Sequence, residues 1–416
     1  MSWLLLLGLA VNLMWLVAHP PGPESGETAH WWPIISSLVH GQGYDACFPE
    51  YFPGCSSHRW PTAAREPIPI FLFAAVAALT GESLLAASFV QVLIDVLVLL
   101  ALLLLAKEIA GDRLALRAGL FWIFYLPALK LIPQVSGELV AGLGVVSGLF
   151  FYLRARRGGR LLHWLAAGMS LALASLSRSS SLCIILALVA LNLADLRLAI
   201  TRRFVSSGAF VLGAALTLMP WVVRNYTTLG TPFVGSTLTG YNLYRENYQL
   251  GSSHYLRFVA GEEAGRALND LVRKNATLRR AANEVEMESI YRGQGLEIIR
   301  HHPRKYLLLS GYRFLSLWFG WGYLQAYGVH PRLADYLVMI EQALFLLLGI
   351  VGLIRLGGKA LPLGASVGAV CFAHMAVIGQ LRFLVPVMPL VMILTTAGMA
   401  ALMGWKAEDP PGSRSL

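Results

Sequence analysis

Charged residues are scarce in this chain of 416 residues. Asp, Glu, Lys and Arg make up 13% of it and hydrophobic residues 56%, which is far more apolar sequence than one soluble core can bury. A single soluble domain is therefore excluded, and the composition predicts an all-α polytopic membrane protein. The net charge of +10 does not indicate nucleic-acid binding, because basic residues between short apolar segments are the usual signal of cytoplasmic loops.

The chain also lacks the short motifs of several large enzyme classes. It has no glycine-rich phosphate loop, no GxGxxG after a strand, no HExxH and no paired CxxC. A nucleotide site and a structural zinc site are therefore not expected. The first apolar segment, 1–19, lacks a basic beginning and a small-residue cleavage site, so we interpret it as a retained anchor helix.

Cysteine is rare as well, with four residues in the whole chain. Cys183 and Cys371 lie in apolar runs, where cysteine is usually a small packing residue. Cys47 and Cys55 lie instead in the polar loop 20–66, with two prolines and a glycine between them. This pattern predicts a small disulfide-closed turn if the loop faces an oxidising compartment.

Apolar runs are the most abundant feature of the sequence. They lie near 2–18, 67–80, 84–106, 115–132, 137–153, 161–176, 179–195, 204–222, 306–322, 334–354, 361–379 and 383–403. The 67–80 run is short for a helix that crosses a bilayer, which needs about 20 residues. Not every run is therefore expected to cross.

Basic clusters orient these runs. They are Lys107/Arg113/Arg117, Arg154/Arg156/Arg157/Arg160, Arg197/Arg202/Arg203 and Arg355/Lys359, which we assign to the cytoplasm. If the loop 20–66 is outside, an odd number of crossings must precede 107–117, so 67–80 is predicted to lie in the interface or to re-enter. The same parity argument places the aromatic run 306–322 in the interface and leaves ten spans.

Acidic residues concentrate on the predicted outer face. The loop 20–66 holds Glu24, Glu27, Asp45, Glu50 and Glu66, and the turn before the fifth run holds Glu138. A carboxylate here can act as general base towards a hydroxyl, and two can share a divalent cation. Glu27 is the leading candidate for the base and Glu24 its nearest rival. The alternatives are a solvated loop charge for Glu27 and a helix-dipole partner for Glu138.

Arginines recur at the outer ends of the apolar runs. They are Arg65, Arg178, Arg224 and Arg382, with Lys130 near the same level. Guanidinium groups fit phosphate oxygens and at this depth can hold a lipid phosphate whose tail stays in the bilayer. The alternative for each is a cation that extends to the interface without a ligand.

Two acids, Asp95 and Glu341, fall inside apolar runs. Such acids are costly in a membrane and usually have partners. We interpret them as structural, paired with residues such as Gln91 or Gln342, rather than as a proton relay.

Several short motifs follow one another in a characteristic order. They are Glu27 followed by Gly41-Gln42-Gly43-Tyr44, Arg65-Glu66-Pro67 with Leu79-Thr80-Gly81, Ser136 with Glu138 and Leu139, Leu176-Ser177-Arg178, the run Pro220 to Tyr226, the run Gly240 to Asn247, Ile298 to Pro303, and Arg382 to Pro389. In this order the chain resembles the bacterial GT-C glycosyltransferases of the dolichyl-phosphate-mannose protein mannosyltransferase, aminoarabinose transferase and Rgt-like group.

The resemblance implies a GT-C fold with about 10–12 transmembrane helices and interfacial helices in the outer loops. It divides the chain into an N-terminal membrane module at 1–222, an outer-face segment at 223–333, C-terminal transmembrane helices at 334–405 and a cytoplasmic tail at 406–416. The implied activity is inverting transfer of a sugar from a polyprenyl-phosphate donor. The acceptor is a glycolipid, polysaccharide or protein at the outer face of a bacterial inner membrane.

The resemblance also implies roles for the candidate residues. Glu27 deprotonates the acceptor, and Glu138 orients substrate or joins Glu27 in holding Mg²⁺ or Mn²⁺, if a metal is used. The donor phosphate is bound by Arg65, Lys130, Arg178, Arg224 and Arg382. The hydroxyl groups of the sugar are bound by Asn225, Tyr241, Asn242 and Asn247.

Two other functions remain open at this point. A transporter or flippase of lipid-linked sugars also needs outer arginines and a cavity. A non-catalytic membrane assembly subunit needs neither catalytic nor transport residues. Transporters often contain internal repeats and ionisable residues near the bilayer midplane. This chain shows no repeat and gathers its acids at one face, which favours an enzyme.

Overall fold

The computed structural model describes residues 1–24, 26–55, 60–158, 160–259, 261–281, 283–322, 326 and 330–405. The described chain is almost entirely helical, which confirms the predicted all-α class. The helices are α1 Ser2–Ala18, α2 Thr28–Val39, α3 Pro67–Thr80, α4 Leu84–Ala110, α5 Asp112–Ile123, α6 Leu126–Leu129, α7 Glu138–Arg156, α8 Leu161–Ser175, α9 Leu182–Ala194, α10 Ile200–Leu229, α11 Leu238–Asn247, α12 Gly261–Lys274, α13 Thr277–Arg280, α14 Glu284–His301, α15 Pro303–Phe319, α16 Leu333–Leu356, α17 Leu361–Ala376 and α18 Met388–Leu402. The predicted tail at 406–416 lies outside the described residues.

A short hairpin interrupts the helices in the first loop. Strands β1 Asp45–Ala46 and β2 Trp60–Pro61 pair antiparallel, with Asp45 opposite Pro61. The connection between them contains the predicted pair Cys47 and Cys55, which the structure joins in a disulfide. The hairpin and the disulfide fold the polar loop back over the end of the bundle.

Ten described helices match the composition of membrane segments. Five are long and apolar enough to cross a membrane, within Leu84–Ala110, Glu138–Arg156, Ile200–Leu229, Leu333–Lys359 and Leu381–Leu402. Five are shorter and apolar, namely Ser2–Ala18, Pro67–Thr80, Leu161–Ser175, Ser179–Ala194 and Leu361–Ala376. The structure therefore agrees with a multi-pass membrane protein.

The apolar run near 115–132 differs from the single segment that its hydropathy indicates. It forms two helices, α5 and the one-turn α6, with Pro127 in the first turn of α6. A proline ring has no N–H to donate and clashes with the preceding turn, so it is tolerated where a helix begins but not within it. The chain consequently breaks here and turns towards residues 130–134.

The centre of the bundle is α18. It packs against α16 and α5, and nearly all of its residues are buried, whereas α16 leaves much of its surface exposed. Small residues permit this close approach, because a Cβ at Gly352 would overlap the backbone of α18. The 3-10 segment Leu381–Val387 just before α18 is therefore fixed by the core.

The intramembrane acid Asp95 is bonded to polar side chains of neighbouring helices. Its carboxylate accepts hydrogen bonds from Asn12 Nδ2 at 2.7 Å and Trp122 Nε1 at 3.0 Å. Gln342 instead donates to the Tyr125 hydroxyl at 2.7 Å, and Gln91 donates to loop carbonyls. The structural interpretation of Asp95 holds, but its partners are not the predicted glutamines, because the helices that face it bring other donors.

Candidate active site

A cavity of about 1150 Å³ opens where the first loop meets the ends of the bundle helices. The start of α3, the turns at 130–134 and 178–180, helix α11 and the segment 380–383 all contribute to its wall. Of the residues predicted from the sequence, seven line it: Glu27, Arg65, Lys130, Arg178, Tyr241, Asn242 and Arg382. These residues are far apart in the chain, and the fold brings them to one place.

Glu27 is held at the cavity wall by both its backbone and its side chain. Its backbone N–H donates to Gln134 Oε1 at 3.2 Å, and its Oε2 accepts from Trp31 Nε1 at 3.2 Å. The preceding Gly26 has φ +51°, and a Cβ there would overlap Gln134, so the turn requires glycine. Oε1 of Glu27 forms an ion pair with Arg382.

The charge state of Glu27 follows from these neighbours. Burial by itself raises the pKa of the Glu27 carboxyl. Together, the positive charges of Arg382, Arg65 and Arg178 outweigh this effect, with Arg382 the strongest of the three, and they hold the pKa well below its usual value of 4.5. Glu27 is therefore an ionised carboxylate at neutral pH, and its basicity is controlled by the position of Arg382.

The pairing of Glu27 with Arg382 should contribute measurably to the free energy of unfolding. Because the folded-state pKa lies below the unfolded value near 4.5, the pair stabilises the protein above that pH and is lost only as the pH falls through the folded pKa. Glu27→Gln should lower the unfolding free energy by about 2 kcal/mol near neutral pH, with the difference from wild type vanishing in strong acid. Thermal melts in detergent at several pH values measure this. A wild-type advantage that already disappears well above pH 4.5 would contradict the pairing.

Glu138 lies behind the cavity wall. It is fully buried in the first turn of α7, and Arg178 Nη2 lies 3.6 Å from its Oε1. Neither carboxylate oxygen accepts a hydrogen bond in the described part of the chain. The preceding Gly137 allows this approach, because a Cβ there would lie 2.3 Å from the carbonyl oxygen of Ser177. Glu138 therefore faces the arginine turn and does not line the cavity.

The remaining cations surround the same space. The guanidinium of Arg178 lies 4.8 Å from the centre of the Phe383 ring and that of Arg382 lies 5.1 Å from it, so one aromatic side chain supports both. Arg65 lies 6.0 Å from the Tyr51 ring, and its Nε has no hydrogen-bond partner among the described residues. Lys130 Nζ lies 3.8 Å from an Asp335 oxygen at the rim. The site therefore has donors oriented for an anion.

Five residues predicted from the sequence lie elsewhere. Glu24, Glu138, Arg224, Asn225 and Asn247 do not line the cavity. Arg224 donates to the carbonyl oxygens of Thr62, at 2.8 Å, and Tyr44, at 3.3 Å. The two asparagines are fully buried and donate to backbone carbonyls of their own neighbourhoods. Arg224 and Asn225 thus fasten loops to α10, whereas Asn247 bonds within α11.

Other cavity residues were not singled out from the sequence. His374, at the end of α17, lines the cavity, and its ring stacks on Phe383 with centroids 4.5 Å apart. It was hidden in an apolar run that reads as a membrane span. Tyr51 lies between the disulfide-bonded cysteines and packs edge-on against Tyr241. In the sequence, the tyrosine within the predicted disulfide-closed turn is the feature that could have indicated this part of the cavity wall.

The side chains of the site offer few ligands for a divalent cation. In the part of the chain that the structure describes, no group of three or more His, Cys, Asp or Glu side chains is arranged to hold a metal ion. Glu27 and Glu138, the two predicted ligands, are each already paired with an arginine. A guanidinium beside each carboxylate opposes the approach of a second cation, so no chemical step is assigned to a metal.

Comparison with known proteins finds one family model that matches part of the chain and solved structures with a similar fold. Residues 64–223, less than half of the chain, match the family model of dolichyl-phosphate-mannose-protein mannosyltransferase. No curated protein matches the sequence. Among solved structures, an oligosaccharyltransferase from Archaeoglobus fulgidus, tethered to an acceptor peptide, is similar with a TM-score of 0.55 and 15% identity over 97% of this chain. The chain spans about half the length of that enzyme, which it covers to 50%.

A second similar structure is ArnT from Cupriavidus metallidurans bound to undecaprenyl phosphate, with a TM-score of 0.41 and 14% identity. That alignment covers 96% of this chain and 78% of ArnT. The family-model match agrees with the predicted resemblance, and the similarity to the archaeal oligosaccharyltransferase confirms the predicted GT-C fold.

Proposed function

We propose that this GT-C-fold protein is an inverting glycosyltransferase that moves a sugar from a polyprenyl-phosphate donor to an acceptor hydroxyl. One observation carries the proposal: the ionised carboxylate of Glu27 lies in a cavity together with Arg65, Arg178 and Arg382. A base and an anion site in one cavity are the two groups that such a transfer needs.

The donor fits one side of the cavity. Its wall near α15, α16 and α17 is largely apolar and includes Phe319, Val338, Met339, Ala373 and Val377, with Asp335 and His374 as polar exceptions. These helices also expose apolar side chains on their outer surfaces, as expected for contact with lipid. An isoprenoid chain can therefore lie against this wall and remain in the membrane, while its phosphate reaches the arginines. The name of the matched family, which contains dolichyl phosphate mannose, supports the same donor class.

The acceptor fits the opposite side. Here the wall is polar and aromatic, with Tyr51, Tyr241 and Asn242 exposed to the cavity. Aromatic faces stack on sugar rings and amides bond to hydroxyls, so this wall suits the transferred sugar and the acceptor group. The side chains of His30 and Arg245 extend the polar wall.

The bonds that form and break in the proposed reaction, and the proton that is transferred, can all be assigned to groups in the cavity. The acceptor hydroxyl gives its proton to Glu27, and its oxygen forms a bond to the anomeric carbon. The bond from that carbon to the phosphate oxygen breaks on the opposite side, and its electron pair leaves on the phosphate. Attack opposite to the leaving group inverts the anomeric centre. Fixed guanidinium groups stabilise the charge that develops on the phosphate.

The donor also adjusts the base. In the absence of donor, Arg382 lowers the pKa of Glu27 and weakens it as a base. A donor phosphate competes for the same guanidinium, and as Arg382 turns to the phosphate, burial raises the pKa of Glu27. Binding of the donor thus prepares the base for the acceptor.

The site is proposed to face the periplasm or exterior of a bacterial inner membrane. The Cys47–Cys55 disulfide beside the cavity supports an oxidising compartment on this side. The basic residues at the opposite end, among them Arg154 in the last turn of α7 and Arg157 just after it, support a cytoplasmic location for the other side.

Deletion of the gene tests this function in the cell. We expect one envelope glycan to lose a single sugar in mass spectra of the deletion strain, and the polyprenyl-phosphate form of that sugar to accumulate. Plasmid-borne wild type should restore the glycan, whereas Glu27→Gln should not. Unchanged glycans together with unchanged donor lipids would contradict the proposal.

A further inference from the structure

The segment 62–66, just before α3, is held by contacts on every side. Four donors from three other parts of the chain bond to it: Arg224 Nη1 to the Thr62 carbonyl at 2.8 Å, Thr237 N to the Ala63 carbonyl at 3.2 Å, Ser236 Oγ to the Ala64 carbonyl at 2.7 Å and Tyr44 Oη to the Arg65 carbonyl at 2.9 Å. Thr62 Oγ1 in turn donates to the buried Glu284 at 2.8 Å. A short loop segment bonded in this way has little freedom to move.

Glu66 ends this segment and reaches across to the turn at 177–180. Its side chain is buried, and its Oε1 accepts two hydrogen bonds from Ser179, from the backbone N–H at 3.0 Å and from the hydroxyl at 2.5 Å. The backbones also meet nearby, because Ile68 N–H donates to the carbonyl of Leu176 at 3.1 Å. The two segments are thus joined at Glu66 and again two residues later, at Ile68.

The joined segments carry two of the cavity arginines. Arg65 directly precedes Glu66, and Arg178 directly precedes Ser179. Adjacent Cα atoms lie about 3.8 Å apart, so a bond between Glu66 and Ser179 fixes the spacing between the two arginine backbones. Both arginines line the same cavity, although they come from the first loop and from the turn after α8.

We propose that Glu66 is a positioning residue that couples Arg65 and Arg178 into one clamp for the donor phosphate. This inference rests on the proposed function. Two guanidinium groups act on one phosphate only if their spacing is held to within about 0.5 Å, which flexible loops alone do not provide. Glu66 does so through its capacity to accept hydrogen bonds, and its negative charge is not required for the clamp.

The Gln and Ala variants of Glu66 separate these two properties. Gln keeps an oxygen that accepts both bonds from Ser179, whereas Ala removes it. Binding of undecaprenyl monophosphate to purified protein in nanodiscs is the readout. We expect Glu66→Gln to bind within about threefold of wild type and Glu66→Ala about 10- to 100-fold more weakly, the range for a lost acceptor that leaves buried donors unpaired. Turnover with saturating donor should recover in the Gln variant as well.

Ser179→Ala provides a second approach if Glu66→Ala does not fold. It removes only the hydroxyl donor and keeps the backbone N–H, so we expect an intermediate loss of affinity. Glu82→Ala is the matched control, since this acid lies just past the opposite end of α3, outside the cavity, and should bind as wild type does.

Each outcome is decisive. Equal loss in the Gln and Ala variants would show that the negative charge itself is used and would overturn the positioning role. Unchanged affinity in Glu66→Ala and Ser179→Ala would overturn it also. If wild type itself failed to bind the lipid phosphate, the proposed function would fail first and this inference with it.

Discussion

Glu27→Gln is expected to abolish sugar transfer while donor binding survives. The amide occupies the same volume and still accepts the hydrogen bond from Trp31, but it cannot take a proton from the acceptor. Loss of a general base typically slows a reaction by roughly 100- to 10,000-fold. Turnover of purified protein with saturating donor measures the loss, and lipid-phosphate binding is measured on the same preparation.

Glu24→Gln is the matched control for this variant. Glu24 lies three residues earlier in the same loop but is exposed and does not line the cavity. We expect it to keep wild-type turnover. Near-normal turnover of Glu27→Gln, or a larger loss in Glu24→Gln, would reject Glu27 as the base.

Arg382→Ala is expected to have the second largest effect, and it acts on both binding and pH dependence. It removes a guanidinium from the phosphate site, which should weaken donor binding by about 10- to 100-fold. It also removes the strongest charge that lowers the pKa of Glu27, so that pKa should rise relative to wild type, with only Arg65 and Arg178 left to oppose the effect of burial. The acid limb of the residual activity should therefore move to higher pH than in wild type.

Arg257→Ala is a suitable control for the loss of an arginine. Its guanidinium pairs with Glu263 and lies outside the cavity. We expect no change in donor affinity or in the pH profile. A pH profile of Arg382→Ala that coincides with wild type would contradict the coupling between Arg382 and Glu27.

Arg224 is expected to behave differently from Arg382, although the sequence suggests a phosphate role for both. Its guanidinium bonds to carbonyls of the first loop, so Arg224→Ala should lower thermal stability while the folded fraction retains donor affinity. Binding corrected for the folded fraction separates these effects. A selective loss of affinity without loss of stability would restore the phosphate role.

The sequence predicts the face on which the site lies but not the pairs within it. Parity and charge place Glu27, Arg178 and Arg382 on one side of the membrane, and the structure brings these three residues to one cavity. The ion pair between Glu27 and Arg382 joins the first loop to the segment before α18. No local pattern specifies a contact over such a separation, because it results from how the helices pack.

For the same reason, the sequence does not show which of the predicted polar residues lie outside the cavity. Arg224 and Asn225 lie near the C-terminal end of the long helix α10, and their residue types suit both a ligand and a side chain that fastens a loop. Which of these they become depends on which carbonyl groups lie within reach, and those belong to the first loop and to residue 233. A helix end alone does not contain that information.

The most direct test of the central claim asks whether the protein cleaves its lipid or moves it. Proteoliposomes are loaded with membrane lipids from the deletion strain, together with acceptor material from the same strain. Mass spectrometry then follows the bond between sugar and phosphate. A glycosyltransferase releases free polyprenyl phosphate and extends the acceptor, and Glu27→Gln does neither. Intact donor that crosses the bilayer without cleavage would contradict the enzyme and identify a flippase.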